Sequence, residues 1–158
     1  MIKLTTIHKL PSVPAVYVMF DKKDVAYVGI SEKLKNRLVQ HFIRRDSSVT
    51  TGASAVSLNP DRIAEVVWWE SPEFSNRSIL EAAELVAFEI FNPVLRSRGG
   101  IRSEANNLLK DEVFKERYKK LFSEEPTGKL LIPKLSDALQ KIDELEKRIE
   151  KLERQFGE

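Results

Sequence analysis

Two tyrosines ten positions apart, Tyr17 and Tyr27, and an arginine and histidine four positions apart, Arg37 and His41, are side chains whose types and spacing could do chemistry together. An arginine keeps its charge at every working pH, and its planar fork suits the non-bridging oxygens of a phosphate. A phenol has a free pKa of about 10 and is protonated at neutral pH. Beside a cation its ionisation is easier, so one phenol could orient or deprotonate an attacking water while the other hydrogen-bonds a phosphate. An imidazole can carry a proton between such groups. These are the needs of phosphodiester hydrolysis: a prepared water, a counter-charge for the phosphorane and help for the leaving oxygen. Taken singly, each residue has a plainer reading, the tyrosines as packed strand aromatics and Arg37 and His41 as polar helix residues.

The elements that must position these residues can be read from patterning. Two runs of β-formers, 15–20 and 25–30, flank Asp21-Lys22-Lys23-Asp24 and predict an antiparallel hairpin beginning after Pro14. A three-residue turn closed by Phe20 and Asp24 sets Tyr17 directly across from Tyr27, both phenols on one face. Gly29 reads as a strand end with positive φ. Ser31 is expected to cap a helix whose Leu34, Leu38 and Phe42 form a buried stripe, with Arg37 and His41 one turn apart beside it. Residues 46–60, rich in Ser, Thr, Gly and Asn, read as a long loop. A third strand follows at about 62–69. Pro72 ends it, Ser78 and Glu81 offer a capping box for the next helix, and Pro93 stops that helix near Phe91.

Beyond a basic connector at 96–102, an amphipathic helix is expected over about 107–122, burying Leu109, Val113, Phe114, Leu121 and Phe122, and broken at 125–128. From Leu135 a seven-residue pattern places Leu135, Ile142, Ile149 and Phe156 at a and Ala138, Leu145 and Leu152 at d. This predicts a coiled coil of about three heptads. Lys141 and Arg148 at g face Glu146 and Glu153 at e′ in a parallel dimer, and a homodimer through this tail is expected; the tail folding back on its own domain is the alternative.

The tyrosine signatures Pro14-Ala15-Val16-Tyr17 and Tyr27-Val28-Gly29, followed by the helix with Arg37 and His41, resemble the GIY-YIG nucleases over residues 12–97. The resemblance implies a small α/β domain that cuts DNA with a divalent metal, Mg²⁺ or Mn²⁺. It also implies a metal-binding Glu about nine residues before a helix-ending Pro. Counting back from Pro93 selects Glu84; Glu81 is the competitor, set aside as the capping-box partner of Ser78. Glu84 shares a helical side with Leu80, Ala87 and Phe91, and a carboxylate pointing inward needs a partner such as a metal. Three positions depart from the family pattern: Ala15 for the first Gly, Ile30 for a polar or basic residue, and Arg96 for an Asn.

The fold expected is therefore α/β: a GIY-YIG domain over 1–104 with a three-stranded antiparallel sheet flanked by helices, an amphipathic helix and linker over 105–128, and a helical coiled-coil extension over 129–158. A chain of 158 residues with 42% hydrophobic and 32% charged residues suits one core plus an appendage. The net charge of +2 does not identify a nucleic-acid binder. Local clusters must do so, and Arg44, Arg45, Arg96 and Arg98 are the candidates for following a phosphate backbone. Trp68-Trp69 is read either as core or as a base-stacking pair; alternation along a strand makes at least one of them core. With no cysteine, a thiol nucleophile and Cys-type zinc sites are excluded. No signal-like or membrane-spanning run is seen, so the reading is cytoplasmic. A catalytically inactive DNA-binding or scaffold module, with the helical tail as its working part, is the second functional reading.

Overall fold

The computed structural model describes residues 3–22, 24–47, 58–94, 103–132 and 135–157. The hairpin forms from β2 (Ala15–Asp21) and β3 (Asp24–Ser31), and the third strand is β4 (Glu65–Glu70). Two strands not expected complete the sheet: β1 (Lys3–Thr5) and β5 (Gly128–Leu131). The order is β1-β5-β4-β2-β3, antiparallel except where β1 runs parallel to β5. The sheet is thus five-stranded and mixed rather than three-stranded, and β5 brings a segment beyond residue 104 into its middle.

The hairpin register differs from the expected one. Lys22 takes a left-handed backbone (φ 56°) in a tighter turn that sets Asp21 against Asp24, and an irregularity between Met19 and Phe20 shifts the rest. Tyr17 consequently faces Gly29, and Tyr27 faces Met19. The net slip is two residues, which preserves side-chain faces, so both phenols still lie on one side of the sheet.

That side is covered by α1 (Leu34–Val39), continued by a wider turn over Gln40–Arg44. Leu34 and Leu38 pack there against Tyr17, Met19, Tyr27, Val66 and Trp68, with Phe42 partly buried. Ser31 does not cap this helix. Its Oγ accepts from the Lys33 amide, and the helix begins after Lys33.

The other face, with Val16, Val18, Val28, Val67 and Trp69, is buried by α2 (Arg77–Phe91), α3 (Ser103–Leu108) and α4 (Glu112–Ser123). Asn76, not Ser78, caps α2, its side chain accepting from the Ser78 and Ile79 amides. Ser78 Oγ instead donates to Glu104 at the start of α3 (2.7 Å). Left-handed Asn92, next to Pro93, ends α2 after Phe91, as expected.

The single helix expected over 107–122 is two, because Asp111 accepts from the Val113 and Phe114 amides and starts a new helix. Phe114, Tyr118 and Phe122 are its buried stripe. Leu109 and Leu121 are only partly buried, and Val113 points to solvent at 78% exposure. Trp68 and Trp69 fall on opposite faces and both are buried, which leaves neither indole face open for stacking on a base.

The last element, α5 (Leu135–Phe156), is helical throughout, and its described side chains are all exposed. No helix among the described residues is long and apolar enough to cross a membrane.

Candidate active site

On the α1 face of the hairpin, four of the five predicted side chains meet. The ring centroids of Tyr17, Tyr27 and His41 form a near-equilateral triangle, 6.2 Å between the tyrosines and 5.9 and 6.0 Å from each to the imidazole. The Tyr17 hydroxyl lies 3.0 Å from His41 Nε2, and His41 Nδ1 lies 2.8 Å from Ser47 Oγ. Arg37 lies near enough to both phenols for its charge to act on each, and its Nη1 donates to Gln40 Oε1 at 3.1 Å.

Glu84 comes from the opposite side of the sheet. Its helix, α2, packs against β3, the edge strand that carries Tyr27, and the Glu84 charge is felt by both phenols. A partly buried carboxylate is therefore within electrostatic reach of the two phenols.

Gly29 is part of this construction. It lies inside β3 rather than at its end, and an ideal Cβ there would fall 2.5 Å from both Cζ and OH of Tyr17 and 2.8 Å from Tyr27 Cε1. The missing side chain is what lets the Tyr17 ring cross its partner strand.

Electrostatics set the resting protonation. Burial drives the Tyr17 phenol well above its ordinary range, with Tyr27 and Glu84 adding to the rise and Arg37 opposing it. Tyr27 is raised for the same leading reason. Both phenols are therefore protonated at neutral pH. Burial works against the Arg37 charge, but the two phenolic oxygens outweigh it and its pKa rises.

Burial, reinforced by the Arg37 charge, lowers His41 to about 3. A neutral imidazole has one N–H and one lone pair. Of its two neighbours, Ser47 and Tyr17, one must receive a proton bond from the ring and the other must give one.

A pH signature follows. Folded His41 binds its proton near 3 and an unfolded imidazole near 6.5, so its contribution to stability is fully present above pH 6.5 and is lost as pH falls toward 3. Urea unfolding at pH 7 and pH 5 should show the wild type losing roughly 2 kcal/mol more than His41→Asn over that interval. Equal losses in the two proteins would mean that His41 protonates freely in the folded chain.

An open cleft of about 440 Å³ adjoins Arg37, with Ser31, Lys33, Asn36, Gln40 and Arg77 in its lining. Arg77 is held by Glu81 at 3.2 Å and by Glu32 at 3.7 Å. Sequence reading missed Ser47 and Arg77. The first follows Asp46 without periodic context; the second carried one legible signal, its i,i+4 spacing to Glu81.

Arg44 and Arg45 are exposed, and each is ion-paired, to Asp46 and Asp61 respectively. Arg96 and Arg98 lie outside the described residues, as does most of the long loop. Among the described residues no group of three or more His, Asp or Glu side chains is arranged to hold a metal ion. Comparison with family models, curated proteins and solved structures finds no match.

Proposed function

We propose that this chain is a metal-dependent endonuclease of the GIY-YIG kind that hydrolyses phosphodiester bonds in DNA. The observation that carries the reading is the cluster itself. One permanently charged guanidinium lies within electrostatic reach of two phenols, a neutral imidazole touches one of them, and a carboxylate lies within electrostatic reach of both.

In this reading Arg37 binds a non-bridging oxygen and meets the charge that develops on the phosphorane. Tyr27, at 5% exposure against 0% for Tyr17, is the phenol nearer to solvent and aligns the attacking water. His41 offers its lone pair to the Tyr17 hydroxyl, so a proton taken up by Tyr17 can be passed on to Nε2. Mg²⁺ or Mn²⁺ held by Glu84 and water would neutralise charge on the scissile phosphate. Glu84 suits that task as an oxygen donor beside the cluster, and Mg²⁺ commonly takes only one or two carboxylates. The cleft beside Arg37 runs past Lys33 and Arg77, cations suited to neighbouring phosphates of the strand.

The test is incubation with supercoiled plasmid and with duplex, flap, branched and single-stranded DNA. Nicking or cutting is expected with Mg²⁺ or Mn²⁺ and none with a chelator. No cleavage of any substrate with any divalent ion would overturn the nuclease reading, leaving a binding or scaffold module.

A further inference from the structure

The α5 helix carries an apolar face that is exposed among the described residues. Ile142, Leu145, Ile149, Leu152 and Phe156 are 51%, 43%, 55%, 51% and 82% exposed, and they recur at the three- and four-residue intervals of a coiled-coil seam. A contiguous stripe of large aliphatic side chains left in water is the mark of an interaction surface rather than of scattered surface apolarity. On the outer side of the helix Lys147 pairs with Asp143 within the chain.

The charges flanking the stripe identify its partner. Every charged g position among the described residues is a cation, Lys141 and Arg148, and every charged e position an anion, Glu146 and Glu153. In a parallel pair of identical helices, g of one meets e′ of the other, giving Lys141 to Glu146′ and Arg148 to Glu153′ twice over. In an antiparallel pair g meets g′ and e meets e′. Cations would then face cations and carboxylates face carboxylates in any register. Isoleucine at a with leucine at d, as at Ile142, Leu145, Ile149 and Leu152, favours two parallel strands. Phe156, at the last a position, would meet its counterpart.

We propose that α5 pairs with α5 of a second copy of this chain as a parallel, in-register two-stranded coiled coil. The two globular units then emerge from the same end of the coil. This inference rests on α5 alone and stands whether or not the chain cuts DNA.

The test uses the full chain. Sedimentation should show a dimer at roughly 100 μM, and Ile149→Asp should weaken association at least about 100-fold. Orientation is read from the cysteine-free background: Phe156→Cys should form a disulfide-linked dimer on mild oxidation, because parallel pairing brings these ends together. Antiparallel pairing would hold them about 30 Å apart.

Charge specificity is read from two double variants. Lys141→Glu with Arg148→Glu, and Glu146→Lys with Glu153→Lys, should each sediment as monomers alone and as a dimer when mixed. A monomeric wild type, a trimer, a dimer that the Phe156→Cys change does not link, or charge variants that still self-associate would each overturn the proposal.

Discussion

Glu84→Gln is expected to leave the fold intact and to lower divalent-dependent DNA cleavage by at least 10²–10³-fold, about the loss seen when one preorganised electrostatic partner of a transition state is removed. The substitution keeps the shape of the side chain and removes the charge felt by Tyr17 and Tyr27. Glu81→Gln is the control. Its carboxylate accepts from Arg77 Nε at 3.2 Å, and its loss should cost less than tenfold in rate while leaving Arg77 to its longer contact with Glu32.

The two variants separate cleanly because Glu81 is not occupied as the capping-box reading held. Asn76 does the capping, and Glu81 is tied instead to Arg77. Normal cleavage by Glu84→Gln with a dead Glu81→Gln would move the metal anchor to Glu81. Loss in both, with unchanged thermal unfolding, would mean that the pair acts as one acidic patch.

That correction shows which parts of this molecule are legible in sequence. The β-formers of 15–20 and 25–30 announce a hairpin because apolar and β-branched side chains repeat where a pleated sheet buries them. Its register does not announce itself. Lys22 adopts a left-handed backbone without being Gly or Asn, so the usual turn signal is missing. The phenols nonetheless share a face, because a slip of two residues leaves the alternation intact.

β1 and β5 were invisible for a different reason. At three and four residues they carry too little pattern, and what holds them is distant pairing: β1 with β5 across more than a hundred positions of chain, and β5 with β4 across about sixty. Arg37 and His41 could be placed together from their spacing, since one helical turn separates them. Ser47 could not. Its contact with His41 depends on how the chain leaves the Gln40–Arg44 turn through left-handed Arg45, a path no periodicity records.

Gly29→Ala should be the most damaging small change in the hairpin. A methyl at this position adds no charge and suits a strand better than glycine does, so propensity alone predicts a gain. Geometry predicts the reverse, because the new Cβ would lie 2.5 Å from Cζ and OH of Tyr17. Tyr17 cannot swing aside at low cost. It is fully buried, and its hydroxyl is held by His41.

Overpacking of this kind costs roughly 1–3 kcal/mol of stability. A displacement of the phenol by about 1 Å should lower cleavage on the order of 10²-fold. Urea unfolding and cleavage rates measure the two effects separately. The cause is isolated by a double-mutant cycle with Tyr17→Ala, which removes the ring that the methyl strikes. If the clash is the source, the cost of Gly29→Ala should shrink in that background, with a coupling of roughly 0.5–3 kcal/mol. Strict additivity would mean that Gly29 serves the backbone alone. A Gly29→Ala protein as stable and active as the wild type would show that Tyr17 has room to spare, and that the close crossing of ring over strand does not hold the phenol in place.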